Sequence, residues 1–212
     1  MAAVMEVELD GLDLKNALEG ARLYIEQHID ELNSLNVLSL PGGDTGINMF
    51  LTIKSATEAI EKTGSSAAIV AASAAKGALF GARGNSGAIL SQILRGMAKG
   101  LEGKETFSFA DFAHALHIAS QQAYQVVEKP IEGTILTVIR EASEEASKVA
   151  NKKTTFARAI SACVLRAKQT VKRTPEMLPV LKEAGVVDAG AQGLYYFFKG
   201  MESVICRKPT YT

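Results

Sequence analysis

The chain has 212 residues, enough for one domain with a sizeable core. Lys plus Arg and Asp plus Glu both number 23, so the net charge is zero and no basic stripe suits a nucleic-acid backbone. Hydrophobic residues make up 47% with no Trp, a composition fitted to close helix packing.

In chain order, residues 1–9 read as an N-terminal arm, in which Val4 to Leu9 is a short strand or simply extended chain. From about residue 10 to 206 the apolar period is helical. Leu14, Leu18, Ala21, Ile25, Ile29 and Leu32 recur at spacings of three and four, predicting a helix over 12–33. Further helices are predicted over 46–63, 66–80, 86–102, 108–129, 133–150, 154–173 and 190–205, with a short one near 176–184. The stretch from Ser65 to Phe80 is alanine-rich and apolar nearly all round, which predicts a central helix. Ser108 and Thr154 are the expected N-caps, since a hydroxyl there accepts an unpaired backbone N–H. No run alternates as a half-buried strand does, so the expected fold is all-α: eight antiparallel helices in an up-and-down bundle or barrel. Residues 207–212 read as a tail or the start of a linker. The start lacks a basic region followed by an apolar stretch, and no run approaches ~18 uncharged apolar residues. A cytoplasmic protein without a membrane span is expected. Cys163 and Cys206 sit in apolar runs and read as thiols packed in the fold. His28, His114 and His117 fall on helical stretches, as surface or core residues.

Glycine clusters in four turns: Pro41 to Gly46, Gly81 to Gly87, Glu132 to Thr134, and Asp188 to Gly193. Each precedes a predicted helix: the second, fourth, sixth and eighth. In an up-and-down bundle alternate helices start at the same end, so all four turns are expected on one rim. The first N–H groups of a helix have no partner inside it, and the helix dipole makes that end positive. Several such ends, approached closely through glycine, form a cradle for phosphate. Asp44 and Asp188, with Glu132 nearby, offer oxygen ligands for a hard cation, and Asn36 and Asn48 add neutral oxygens. The plainer alternative is that these are ordinary turns, with Thr45 and Thr134 as simple caps. Neither GxxxxGK[ST] nor GxGxxG occurs, which argues against the common nucleotide folds.

The stretch Leu35-Asn-Val-Leu-Ser-Leu-Pro-Gly-Gly-Asp-Thr-Gly-Ile-Asn-Met49 resembles the signature of the dihydroxyacetone-kinase L-subunit superfamily, closest to its bacterial fatty acid kinase A branch. Gly81-Ala-Arg-Gly-Asn-Ser-Gly-Ala-Ile-Leu-Ser-Gln92, Glu132-Gly-Thr-Ile-Leu-Thr-Val138 and the run from Leu178 through Asp188-Ala-Gly-Ala-Gln-Gly-Leu194 resemble that branch's further signatures, in order. The resemblance implies an eight-helix α-barrel with ATP and two Mg2+ at one mouth. It implies that Asp44 is catalytic and a metal ligand, with Asn36 a second metal ligand. It implies nucleotide contacts from Thr45, Gly46, Asn48, Met49, Asn85, Ser86, Gly87, Gly133, Thr134, Asp188, Ala189 and Gly190. The implied activity is transfer of the γ-phosphoryl of ATP to a fatty-acid carboxylate or a dihydroxyacetone-like hydroxyl, presented by a separate substrate-carrying protein. It further admits C-terminal domains on the same chain and a homodimer. One departure stands out: Gly42 replaces the first aspartate of the usual D-G-D, a metal ligand in the resembling family. The alternatives are therefore a catalytically weakened, regulatory nucleotide-binding module, or a bundle whose apolar interior takes an acyl chain.

Overall fold

The computed structural model describes residues 7–37, 43–150, 152 and 154–207. Eight long helices form a ring: α1 (Gly11–Glu26), α3 (Thr45–Ile60), α4 (Ala67–Gly81), α5 (Gly84–Gly100), α6 (Phe109–Gln125), α7 (Ile135–Ala150), α8 (Phe156–Met177) and α10 (Ala189–Ile205). Two short helices, α2 (Ile29–Ser34) and α9 (Pro179–Ala184), lie in the connections. Each long helix packs on its neighbours in sequence, and α10 returns to pack on α1 and close the ring. That seam is tight. A Cβ built on Gly20 would lie 2.6 Å from the Gly200 carbonyl oxygen, and one on Gly200 would lie 2.4 Å from that of Gly20.

The helix expected over 12–33 breaks at His28, which has φ −122° and ψ 17°. The imidazole is the cause. Its Nδ1–H donates to the Tyr24 carbonyl at 2.7 Å, taking the acceptor one turn back, and the His28 backbone N–H turns instead to the Ile25 carbonyl. The ring also lies between Tyr24 and Tyr196, with centroids 4.7 and 4.3 Å away. Near the end of the chain the opposite happens: α8 continues to Met177 through Pro175, where a break was expected. Pro175 has no N–H for the Val171 carbonyl. The Thr174 hydroxyl donates to that carbonyl instead, at 2.8 Å.

Two strands of two residues, Leu9–Asp10 (β1) and Thr106–Phe107 (β2), pair antiparallel; the first begins at the end of the stretch read as a short strand or extended chain, and the second was not expected. Together with the Ala67 and Ala68 N–H bonds to the Glu105 and Lys104 carbonyls they brace one end of the ring, beside Phe107, Phe109, Phe112 and Phe156. Ser108 caps α6 in a reciprocal box with Asp111. For α8 the cap is Thr155, one residue beyond the expected Thr154. The alanine-rich helix is a stave of the ring and not its centre. Ala67, Val70, Ala71, Ala74 and Ala78 face inward, while Ile69, Leu79 and Phe80 are exposed.

The space among Leu14, Leu18, Leu94 and Met97 is about 10 Å³, which leaves an acyl chain no room there. Cys163 is buried, with its thiol pushed up to about 12 by desolvation, and Cys206 is half-buried. Among the described residues no helix is long and apolar enough to cross a membrane.

Candidate functional site

The N-termini of α3, α5, α7 and α10 meet at one cleft of about 500 Å³. Asn36, Asp44, Thr45, Asn48, Asn85, Ser86, Thr134, Asp188, Ala189 and Gly190 all line it. Gly46, Met49, Gly87 and Gly133 do not line it. Met49 is fully buried, its sulfur so close to Gly193 that a Cβ there would lie 2.3 Å away. Gly87 gives close passage to Thr52 on α3, and the buried Gly133 N–H donates to Thr137 Oγ1 at 2.8 Å. These four shape the wall from behind. Gly42, at the departure from the family pattern, lies outside the described residues.

Asp44 stands at the N-cap of α3, yet its carboxylate makes no capping bond. Asn33 on α2 caps the helix instead: its Oδ1 accepts from Gly46 N–H at 2.8 Å and from Ile47 N–H at 3.3 Å. The Asp44 side chain is thereby left exposed at the cleft. Nearby, the Asn36 Nδ2 is buried with no hydrogen-bond partner among the described residues. A buried amide in that state is costly, as expected of a group shaped for a ligand. Helix α5 starts without a side-chain cap at Arg83, so the first-turn N–H groups beside Asn85 and Ser86 are open to the cleft. Gly84 enters that turn at φ +58°, and a Cβ there would lie 2.4 Å from the Asn48 Nδ2.

The third turn is more self-contained. The Thr134 hydroxyl donates to the Ile131 carbonyl at 2.8 Å and accepts from Leu136 N–H at 3.3 Å, as an ordinary cap would. Glu132 is not a cation ligand in this arrangement. Its carboxylate accepts from Tyr124 Oη, Thr137 Oγ1 and the Arg140 guanidinium at 2.7, 2.7 and 2.8 Å. Those three donors outweigh desolvation and hold it below the usual carboxylate range.

Asp188 is 6% exposed and caps α10 through Ala191 N–H at 2.7 Å. Burial pushes its carboxyl up to about 6, against the pull of N–H groups of Ala191, Gly190 and Ile135. Ile135 opens α7, so this one carboxyl joins two helix starts. Its own backbone N–H donates to Thr174 Oγ1 at 3.0 Å. The hydroxyl that repairs Pro175 is thus the one that seats Asp188.

The cleft also has apolar lining residues, Leu35, Val37, Ile89, Val127, Ile131, Leu136 and Leu181. Lys129 is the one cationic side chain among its lining residues. Sequence reasoning missed Asn33, Thr174 and Lys129. Thr-Pro within a helical period, and a lysine alternating with Val127 and Ile131, were the available signals. Among the described residues no three His, Cys, Asp or Glu side chains gather as a ready metal cluster. Asp44 and Asn36 are among the side chains that bring oxygen to the cleft.

The DAK2 domain family model matches residues 39–203. Protein YloV of Bacillus subtilis is 40% identical over 193 residues, covering 91% of this chain and 35% of that protein. An uncharacterized protein of Staphylococcus saprophyticus is 41% identical over 198 residues, covering 92% and 36%. The chain therefore spans about a third of the length of these curated relatives. Among solved structures, the native dihydroxyacetone kinase of C. freundii superposes with a TM-score of 0.70 at 18% identity, over 96% of this chain and 36% of that one. The same kinase in complex with AMP-PNP and Mg2+ superposes at 0.64, with 16% identity. These two likenesses show the fold.

Proposed function

The chain belongs to the DAK2 domain family, and from that premise we propose that its cleft binds ATP with Mg2+ and presents the γ-phosphoryl group to an acceptor held by another protein. One observation carries the reading: four alternating helix N-termini and the carboxylates of Asp44 and Asp188 share a single cleft. Its size suits a nucleotide, and its lining offers apolar side chains for a base and helix N-termini for phosphates. The similar C. freundii kinase, seen with AMP-PNP and Mg2+, supports the same assignment.

In this reading Asp44, unburdened by capping, and Asn36 hold the cation. Bound Mg2+ supplies charge neutralisation on the phosphates. The first-turn N–H groups of α5, with Ser86 and Asn85, orient the polyphosphate. Thr45, Asn48, Thr134, Ala189 and Gly190 complete the wall. Asp188 fixes the starts of α7 and α10 and acts through them. Phosphoryl transfer asks mainly for positioning and charge stabilisation, which such a set supplies. The acceptor is a fatty-acid carboxylate or a dihydroxyacetone-like hydroxyl, delivered by a substrate-carrying protein.

Calorimetric titration with ATP, with and without Mg2+, tests the reading. We expect Asp44→Ala to lose the Mg2+-dependent part of the affinity while stability stays within roughly ±0.5 kcal/mol, since the side chain is exposed and caps nothing. Equal affinity of both proteins for Mg-ATP refutes the role of Asp44. A second reading rests on Gly42: with one carboxylate where relatives carry more, the domain binds nucleotide but transfers phosphate poorly and serves regulation. ATP binding without turnover in the presence of a fatty-acid-loaded or dihydroxyacetone-loaded partner selects it.

A further inference from the structure

Lys129 sits in the connection between α6 and α7, a segment whose alternate residues Val127, Lys129 and Ile131 all line the cleft. Lys129 is exposed and lines the cleft between two apolar neighbours. The segment is held close by: the Tyr124 hydroxyl and the Arg140 guanidinium both grip Glu132, and Gly133 N–H is tied to Thr137. Three arginines near the ends of the flanking helices have partners of their own. Arg83 donates to the Ala82 carbonyl at 2.9 Å, Arg140 pairs with Glu132 and Glu144, and Arg173 pairs with the buried Glu141. Lys129 forms no ion pair among the described residues.

The charge balance of the cleft gives this a purpose. Each helix N-terminus contributes a partial positive charge of roughly half an elementary unit, screened at an open mouth. Asp44 is the one cleft carboxylate not engaged with backbone N–H groups, so a cation there is thinly held by the protein. Resting on the nucleotide reading above, we propose that Lys129 contacts the polyphosphate directly and gives binding a component that needs no divalent ion. A lysine suits this task as a mobile point charge able to follow phosphate oxygens.

The test is titration of the whole chain with ATP, ADP and adenosine, in excess chelator and again with Mg2+, for wild type, Lys129→Gln and Lys129→Arg. Circular dichroism verifies that each variant is folded. We expect Lys129→Gln to weaken metal-free ATP binding by about tenfold or more, to weaken ADP binding less and to leave adenosine unchanged. Lys129→Arg recovers most of the loss, and the salt dependence of ATP affinity becomes shallower in the Gln variant. If wild type binds ATP and Lys129→Gln binds it equally in chelator, the role of Lys129 is overturned and the cleft assignment stands. An equal loss for adenosine overturns it too, because the residue then shapes the pocket without reading phosphate. If wild type binds no nucleotide in either condition, the cleft assignment itself fails.

Discussion

Thr174→Val isolates the link between an irregular helix and the cleft. The Thr174 hydroxyl donates to the Val171 carbonyl orphaned by Pro175 and accepts from the Asp188 N–H, and the side chain is fully buried. Valine keeps the shape and removes both bonds. Each buried group left without a partner costs about 1–3 kcal/mol, so we expect a loss of about 2–6 kcal/mol in urea unfolding. In a chain of this size ~3 kcal/mol lowers Tm by roughly 6–12 °C. Thr174→Ser, which retains the hydroxyl, should lose much less. Pro175→Ala supplies a backbone N–H for the Val171 carbonyl, so combined with Thr174→Val it should recover about 1 kcal/mol or more, and little in the wild-type background. A Thr174→Val protein within about 0.5 kcal/mol of wild type, or strict additivity with Pro175→Ala, would refute the relay.

Asp188→Asn should retain the α10 cap and alter the pH profile. The folded carboxyl is raised to about 6 by burial, so its contribution is full below the unfolded value near ~4 and is lost as pH rises through 6. Up to about 3 kcal/mol of wild-type stability should therefore decline between roughly pH 4 and 7, and the difference between wild type and variant should trace that decline; parallel profiles rule it out. Gly84→Ala should cost about 1–2 kcal/mol, because φ is +58° and the new Cβ must displace the Asn48 amide, and it should weaken ATP binding through the same cleft residues. Unfolding and titration data unchanged from wild type would count against that geometry.

The phase of the glycine turns was legible because glycine marks helix starts and the 3.6-residue period counts helices, so their gathering on one rim follows from parity alone. Ser108 was legible as a cap through its hydroxyl at the start of an apolar period, and the structure adds its reciprocal box with Asp111. What escaped depends on side chains acting across the chain or against the period. The His28 ring competes for a backbone carbonyl inside an apolar pattern that runs unbroken to Leu32. Asn33 caps a helix that begins only at Thr45, across a loop whose path no local rule predicts. Thr174 masks a proline, so the pattern of a break is present without the break. The alanine-rich segment looked central because its apolar face is broad, yet Ile69, Leu79 and Phe80 remain exposed on the outside of a ring.

The seam where Gly20 meets Gly200 also governs how the molecule can assemble. Most helices find a partner next to them in sequence, so a growing chain can dock them one after another. Helix α1 is different: its inward face waits for α10, almost the whole domain later. Until that last stave emerges, the glycine groove of α1 is open and its apolar stripe lacks half its cover. Contacts of such long sequence separation are closed late and slowly. A ribosome-tethered fragment that stops before residue 189 should be an unsealed cylinder, prone to borrow a helix from another copy. Backbone contact at the seam gives the completed domain a latch, set when the last helix of the ring docks.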